Sequence, residues 1–118
     1  MKILILEDNI ERIKVFKTHL FNEEKDFCTT AEQAIELLTT KKYDLVYLDH
    51  DLEGKPYEDS NYRNTGYQVA KVIPTTINKD TQIIIHSMNP IGAKAMKDVI
   101  GDNAIHTPFG LLRWEAFK

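Results

Sequence analysis

Two kinds of hydrophobic pattern alternate along the chain. Three segments, at 3–6, 44–49 and 81–87, are mainly apolar at consecutive positions, while the segments between them carry apolar residues three or four positions apart. Consecutive apolar positions are typical of strands covered on both faces, and the wider spacing is typical of helices with one buried face. The chain is therefore predicted to alternate strands with helices.

Local signals place the ends of these elements. Asn89 is a natural N-cap with Pro90 at the first helical position. Gly101 ends the same helix, and Pro74 ends the helix before it. The predicted strands cover 3–6, 26–31, 44–49, 81–87 and 103–107. The predicted helices cover 10–20, 31–40, 67–73, 88–101 and 108–118, with a long polar loop at 50–66.

Strands buried on both faces and joined by helices predict a parallel sheet between two helical layers. Right-handed crossovers favour a doubly wound sheet of five strands in the order 2-1-3-4-5, which is a three-layer flavodoxin-like α/β fold. A length of 118 residues suits one domain, predicted to span 1–118. In this order strands 1, 3 and 4 are neighbours, and ligands bind beyond the carboxyl ends of strands where the winding reverses.

Composition excludes several classes of function. Hydrophobic residues make up 42% of the chain and charged residues 28%, as in soluble globular proteins. The net charge is −3 and the Lys and Arg residues are scattered, so no nucleic-acid patch is predicted. The apolar runs are too short to cross a membrane, and no signal peptide precedes them. The single cysteine, Cys28, excludes an internal disulfide and fits a reducing cytoplasm.

Titratable and hydroxyl side chains follow the three strand ends at the reversal. They are Glu7 and Asp8, then Asp49, His50 and Asp51, then His86 and Ser87. Carboxylates such as those of Asp8, Asp49 and Asp51 suit Mg²⁺ or Mn²⁺, and Zn²⁺ becomes the expectation if the histidines bind the metal. His50 and His86, with ordinary pKa values of about 6.5, suit base and acid roles.

Further groups could bind a phosphate-containing ligand at the same edge. Asn89 begins a helix whose first-turn backbone N–H groups, including that of Gly92, would face the crevice. Arg63, Asn64 and Thr65 on the long loop could clamp a phosphate or a base. The nearby tyrosines could stack on a nucleobase; they are Tyr57, Tyr62 and Tyr67.

Structural roles compete with each of these assignments. Glu7 and Asp8 could simply favour helix initiation through the helix dipole. His50 could be a packing histidine, because strand alternation sends it to the face opposite Asp49 and Asp51, and His86 could be buried against a carbonyl. Capping or turn roles would suffice for Asp51, Ser87, Asn89, Asn64 and Thr65, and lid packing would suffice for the tyrosines.

The segments ILILEDN, YDLVYLD and TPF, in this order, resemble the response-regulator receiver domain over essentially the whole chain. The resemblance implies that Glu7, Asp8 and Asp49 hold Mg²⁺. It also implies that Asp49 accepts a phosphoryl group and that Ser87 supplies a hydroxyl. One departure is Thr107, which stands where receivers carry a lysine.

Other departures are His50 and Asp51 after strand 3, His86 within strand 4, and a loop at 53–64 longer than a receiver normally has. Together with these, the segments LDHDL, NTGYQVA and IIIHSMNPIGAKAM resemble a divergent branch of the receivers, the cyclic-phosphate processing receiver domain. This resemblance implies a hydrolytic role on cyclic phosphates of nucleotides or RNA-derived metabolites.

Three functions are therefore expected to compete. The first is metal-assisted hydrolysis or binding of a small cyclic phosphate, such as a cyclic nucleotide or an RNA end. The second is a signalling receiver that takes a phosphoryl group on Asp49, although the loss of the lysine at Thr107 weighs against it. The third is a non-catalytic nucleotide-binding or protein-interaction domain that keeps the crevice.

Overall fold

A computed structural model describes residues 1–54 and 57–117. Within them lies a parallel five-stranded sheet in the order β2-β1-β3-β4-β5, which confirms the predicted fold class and strand order. The strands are β1 (Lys2–Leu6), β2 (Glu24–Cys28), β3 (Leu45–Leu48), β4 (Gln82–Ile85) and β5 (Ala104–His106).

Four α-helices lie within the described residues, and each begins at a polar N-cap residue. They are α1 (Ile10–His19), α2 (Ala31–Thr40), α3 (Gly66–Val72) and α4 (Pro90–Ile100). Asn9, Thr30 and Asn89 accept a hydrogen bond from a first-turn backbone N–H of α1, α2 and α4, respectively. Gly101, at φ 102°, ends α4 in a conformation that favours glycine. The predicted Asn89 cap, Pro90 start and Gly101 stop are therefore confirmed.

Two predicted elements differ from the structure. The second strand begins at Glu24 instead of 26, because β2 is an edge strand where exposed polar residues are tolerated. The predicted terminal helix is replaced by two 3₁₀ turns, Phe109–Leu111 and Glu115–Phe117. Its apolar residues pack at irregular spacing, and Gly110 disfavours a helix. Residue 118 of that helix, and residues 55–56 of the predicted loop, lie outside the described residues.

The central strands β1, β3 and β4 send alternate side chains into two separate cores. Leu4, Leu6, Val46 and Leu48 lie in the core beneath α2, α3 and α4. The intervening residues of the same strands face α1 and the C-terminal 3₁₀ segment, where Phe16 and Trp114 pack. None of the described helices is long and apolar enough to span a bilayer.

The strand register determines which polar residues become neighbours. Leu6 pairs with Leu48, and Leu48 pairs with Ile85, so the last residues of β1, β3 and β4 lie side by side. Backbone hydrogen bonds continue this register by one residue, from Asp49 N to the Leu6 carbonyl and from His86 N to the Leu48 carbonyl. The residues just after the three strands therefore meet at one edge of the sheet and on one face.

Candidate active site at the carboxyl edge of the sheet

Glu7, Asp49 and His86 form a buried cluster on the α1 side of this edge. Their ligand atoms lie within 4.8 Å of one another. The three residues follow β1, β3 and β4 at equivalent positions, so strand register and side-chain alternation together explain why they meet. The sequence predicted that these strand ends converge, and the structure shows which side chains share a face.

Glu7 is completely buried and its carboxylate is held by four polar groups. Oε1 accepts a hydrogen bond from His86 Nε2 at 2.9 Å, and Oε2 accepts from the backbone N–H groups of Asp8 and Asn9 at 3.0 Å each. Arg12 Nη1 lies 3.7 Å from Oε1. Burial acts to raise the pKa of Glu7, but the hydrogen bonds and nearby positive charge outweigh it and hold the pKa below its ordinary value.

His86 is buried in an aromatic cage. Its ring packs edge-on against Phe16 and Phe109 at centroid distances of 5.3 and 6.2 Å. Nδ1 has no hydrogen-bond partner among the described residues. A buried N–H without an acceptor is costly, so the hydrogen-bond pattern assigns the ring proton to Nε2, where it is donated to Glu7. His86 therefore orients Glu7; its catalytic role stays a prediction.

Asp49 is the one residue of this cluster that keeps some contact with solvent. It is 4% exposed, and Oδ1 accepts a hydrogen bond from the His50 backbone N–H at 2.8 Å. Oδ2 lies 3.9 Å from Arg12 Nη1. Burial raises the pKa of Asp49 to about 6; the Glu7 carboxylate adds to the rise, and His86 and Arg12 oppose it.

An open cleft of about 590 Å³ lies directly above Asp49. It is lined by Glu7, Asp8, Asn9, Ile10, Glu11, Arg12, Asp49, Asp51, Gly54 and Met88. Burial raises the pKa of Asp8 above its ordinary value, although the hydrogen bond that its Oδ2 accepts from the Gly54 N–H opposes the rise. All four predicted metal ligands, Glu7, Asp8, Asp49 and Asp51, therefore line one cleft.

His50 lies on the opposite face of the sheet from Asp49, as strand alternation predicted. The same prediction was wrong for Asp51, whose side chain contacts His50, because β3 ends before Asp51 and alternation does not extend that far. Its ring is fully buried, with Nδ1 2.8 Å from Asp51 Oδ1 and Nε2 2.9 Å from Ser60 Oγ. A side chain at Gly92 would come within 2.5 Å of the ring, so α4 packs against it at its closest approach. Both ring nitrogens are thus occupied, which favours a packing role over the predicted catalytic one.

The Asp51 carboxylate binds backbone groups of the long loop that follows β3. Its carboxylate accepts hydrogen bonds from His50 Nδ1, from Asn89 Nδ2 and from the backbone N–H groups of Tyr57 and Glu58. Burial acts to raise the pKa of Asp51, but these four donors lower it below its ordinary value. Asp51 would have to give up several of these donors to bind a metal ion.

Ser87, Asn89 and Gly92 are buried, and the cleft is lined by other residues. Ser87 Oγ accepts from the Asn89 N–H at 3.0 Å, and Asn89 Oδ1 accepts from the Gly92 N–H at 3.0 Å. The first turn of α4 is therefore capped by the side chain of its N-cap residue, Asn89. The predicted contact between this end of the helix and a phosphate stays a prediction.

Two of the predicted loop residues, Arg63 and Asn64, line a second cleft of about 450 Å³ beside the start of α2. Asn64 Oδ1 accepts from the Ala31 N–H at 3.0 Å. Thr65 is the N-cap residue of α3, and its hydroxyl donates to the Tyr62 carbonyl at 3.0 Å. Tyr57 is 72% exposed. Arg63 and Asn64 therefore line a different cleft from the four predicted metal ligands.

Arg12 is a residue of the cleft that the sequence analysis missed. It lies within 4.0 Å of both Glu7 and Asp49, and its guanidinium carbon lies 5.0 Å from the centre of the Phe109 ring. Its position in the chain could have predicted this, because Arg12 is three residues after the Asn9 cap, in the first turn of a helix that starts at this edge.

The sheet order and the acid cluster at its carboxyl edge define a receiver-like domain. The chain belongs to the cyclic-phosphate processing receiver domain family, which it matches over residues 3–102. No curated protein matches the chain.

Solved receiver domains share the fold. The receiver domain of the sensor histidine kinase PA1611 from Pseudomonas aeruginosa PAO1, with magnesium coordinated in its active-site cleft, is 21% identical with a TM-score of 0.73, over 98% of this chain and 89% of that one. A CheY-like receiver from Methanospirillum hungatei JF-1 is 15% identical with a TM-score of 0.70, over 98% and 85% of the two chains. A two-component response regulator from Clostridium difficile is 21% identical with a TM-score of 0.68, over 98% and 88%.

The donor set fits a divalent cation. Carboxylate oxygens are the ligands that Mg²⁺ and Mn²⁺ prefer, and among the described residues Asp49 Oδ2 has only the long Arg12 contact. Burial raises the pKa values of Asp49 and Asp8, and a nearby cation would favour the charged form of both. In contrast, a metal bound at His86 Nε2 would displace its proton to Nδ1, where no acceptor lies among the described residues.

Proposed function

We propose that the chain binds a small cyclic phosphate in the main cleft and opens the ring by metal-assisted hydrolysis. The observation that carries the proposal is the position of Asp49: a buried carboxylate with a pKa of about 6 at the floor of a cleft of about 590 Å³. That volume is within the range of small-molecule sites. The family to which the chain belongs supplies the substrate class.

Asp8 and Asp49 would hold Mg²⁺ or Mn²⁺, with Glu7 behind them. The cation, when bound, neutralises phosphate charge and lowers the pKa of a water molecule. Glu7 is held rigidly by its hydrogen bonds from His86 and from backbone N–H groups, so it keeps a fixed negative charge beneath the cleft. Mg²⁺ and Mn²⁺ are favoured over Zn²⁺ because the hydrogen-bond pattern places the His86 ring proton on Nε2.

The reaction is the addition of water across one ester bond of the ring. The water oxygen forms a bond to phosphorus, one P–O ester bond breaks, and the leaving oxygen receives a proton to become a hydroxyl. The attacking water can supply the proton that the leaving oxygen receives. Asp49 and Asp8 serve as ligands in this scheme, because a bound cation would favour the charged form of each carboxylate.

The direct test is incubation of the purified chain with 2′,3′-cyclic and 3′,5′-cyclic nucleotides in the presence of Mg²⁺ or Mn²⁺. Ring opening is followed by chromatography of the monophosphate products. Asp49→Asn removes the carboxylate with almost no change of volume, and we expect it to reduce turnover by at least about 100-fold, which corresponds to roughly 2.7 kcal/mol of transition-state stabilisation.

Asp102→Asn is the matched control. Asp102 is an exposed carboxylate that precedes β5, so it lies at the opposite edge of the sheet from the cleft. The Asp102→Asn variant should hydrolyse the same substrate at the wild-type rate. Binding of cyclic nucleotides without ring opening under either metal would reject hydrolysis and leave a nucleotide-binding domain.

A second candidate function is phosphoryl transfer to Asp49. Asp49 follows β3 in a fold shared with receiver domains, one of which holds magnesium in its active-site cleft. Beryllofluoride with Mg²⁺ mimics an acyl phosphate and separates the two functions. Formation of a stable adduct at Asp49, observed by ¹⁹F NMR and lost in Asp49→Asn, would favour the signalling receiver.

A further inference from the structure

The cleft needs positive charge to bind a phosphate ester, and its walls are mainly acidic. Arg12 is the only cation among the described residues that line it. The residue at the end of β5 is Thr107, whose backbone N–H donates to the Ile85 carbonyl and extends the sheet beside His86. Thr107 carries no charge. Arg12 reaches the cluster from the first turn of α1.

Within the part of the chain that the structure describes, no hydrogen bond uses the donors of the Arg12 guanidinium. Its distances of 3.7 Å to Glu7 Oε1 and 3.9 Å to Asp49 Oδ2 are ion-pair distances, and both are too long for hydrogen bonds. A guanidinium carries five N–H groups arranged to bind two oxygens of one phosphate at once. With 29% of its side chain exposed at the cleft wall, Arg12 can turn these donors toward a ligand.

Phe109 provides the surface on which the guanidinium rests. The guanidinium carbon lies 5.0 Å from the ring centre, a distance typical of cation–π contacts. Phe109 itself packs against Phe16 of α1, with ring centres 5.7 Å apart. Phe109, in the segment after β5, thus supports the cation that α1 supplies.

We propose that Arg12 is the phosphate-binding cation of the main cleft, held in position by Phe109. The inference rests on the proposed function for the class of ligand, a cyclic phosphate ester or a related phosphate anion. The alternative is that Arg12 only neutralises Glu7 and Asp49. An arginine whose only role is to neutralise a carboxylate would form short, bidentate hydrogen bonds to it. Arg12 forms no such hydrogen bond with Glu7 or with Asp49.

The test compares two probes of opposite charge on the same variants. Calorimetric titration with 2′,3′-cyclic AMP, and with inorganic phosphate, measures anion binding; titration with Mn²⁺ alone measures cation binding. We expect Arg12→Ala and Arg12→Gln to weaken anion binding by about 10- to 100-fold, the range of a lost charge-assisted contact. The same variants should bind Mn²⁺ as tightly as the wild type or more tightly, because a positive charge beside Asp49 is gone.

Three further variants sharpen the result. Arg12→Lys keeps the charge without the planar fork, so it should recover part of the affinity for the anions. Phe109→Leu keeps the charge but removes the ring face, and a loss of a few-fold is expected. Lys17→Ala is the matched control, since Lys17 is an exposed cation of the same helix whose Nζ lies over the Phe27 ring, and its anion affinity should equal that of the wild type.

Each outcome decides the proposal. Anion affinities of Arg12→Ala and Arg12→Gln that equal the wild-type values would overturn it, even if the wild-type chain opens cyclic phosphates. Anion binding that depends on Arg12 without any ring opening would support it while rejecting the hydrolytic function. A wild-type chain that binds neither anionic probe at millimolar concentration would overturn both.

Discussion

The surroundings of the Asp49 carboxylate are unfavourable for its charged form. Its carboxylate is buried at the end of β3, next to the ionised Glu7, and the compensating charge of Arg12 remains 3.9 Å away. An arrangement of this kind is unfavourable for folding and favourable for binding a cation or for transferring a proton. The two consequences can be measured separately.

Asp49→Asn should make the protein more stable at neutral pH. The native pKa of about 6 lies above the ordinary carboxyl value of about 3.9, so between these limits the native state binds more protons than the unfolded state. Stability contributed by this site therefore falls as pH rises from about 4 to about 6 and stays low above that range. Urea denaturation in EDTA should show a gain on the order of 1 kcal/mol at about pH 7.5 and no gain at about pH 4.

Asp102→Asn is the control for this experiment as well, and its stability should follow the wild-type pH profile. A variant that is more stable and yet inactive would also exclude unfolding as the cause of lost turnover. An Asp49→Asn gain that is equal at both pH values would contradict the raised pKa.

The buried pair of His86 and Glu7 should show strong energetic coupling. His86→Phe fits the surrounding aromatic cage but removes the donor to Glu7 Oε1, leaving a buried charge partly uncompensated. We expect a cost of about 3 kcal/mol in the free energy of unfolding. In a double-mutant cycle with Glu7→Gln, the second substitution should recover about 1–3 kcal/mol. Strictly additive losses would show that the 2.9 Å contact contributes nothing specific.

At the scale of elements, the long loop after β3 is held closed at its base. Asp51 and Thr65 form an isolated antiparallel bridge, and the Gly66 N–H donates to the His50 carbonyl at 2.9 Å. A Cβ at Gly66 would overlap the Asp49 carbonyl oxygen, so α3 starts against the backbone of the site. The long loop is therefore attached to the backbone of the site.

Asp51→Ala should loosen this loop selectively. The substitution removes the acceptor for the backbone N–H groups of Tyr57 and Glu58, which bond to the carboxylate at 2.9 Å each. Hydrogen exchange followed by NMR should show both amides losing their protection, while the Ala34 amide within α2, which donates to the Thr30 carbonyl, keeps its rate. Unchanged protection at Tyr57 and Glu58 would show that Asp51 does not hold the loop.

At the scale of the whole molecule, two cores on opposite faces of the sheet support one edge. α2, α3 and α4 cover one face, and α1 with the C-terminal 3₁₀ segment covers the other. The cleft lies where the α1 side meets the carboxyl ends of β1 and β3, so a bound ion would join groups from several elements. Binding there should stabilise the entire fold.

Mn²⁺ should therefore raise the free energy of unfolding of the whole chain. At about 100 times its dissociation constant, a ligand that binds only the native state adds about 2.7 kcal/mol. Thermal denaturation with and without Mn²⁺ should show this gain for the wild type and for Asp102→Asn, and little of it for Asp49→Asn. Equal gains in all three proteins would place the ion outside the cleft.

Short-range patterns were enough to predict the sheet order, the start of α4 at Asn89 and Pro90, and the strand ends that carry Glu7, Asp49 and His86. Such features depend on consecutive apolar positions, helical spacing and capping, which are properties of neighbouring residues. Even the pairing of Glu7 with Asp49 follows from alternation once the register is known.

Long-range packing chose among the roles that those patterns left open. His50 lies against Gly92 of α4, and His86 lies in a cage formed by Phe16 and Phe109, contacts between segments far apart in the chain. Arg12, in the first turn of α1, rests on the ring of Phe109, which lies nearly a hundred residues further along the chain. A side chain's direction is a local property, but its partners depend on how every element packs, and the chemistry of a site depends on those partners.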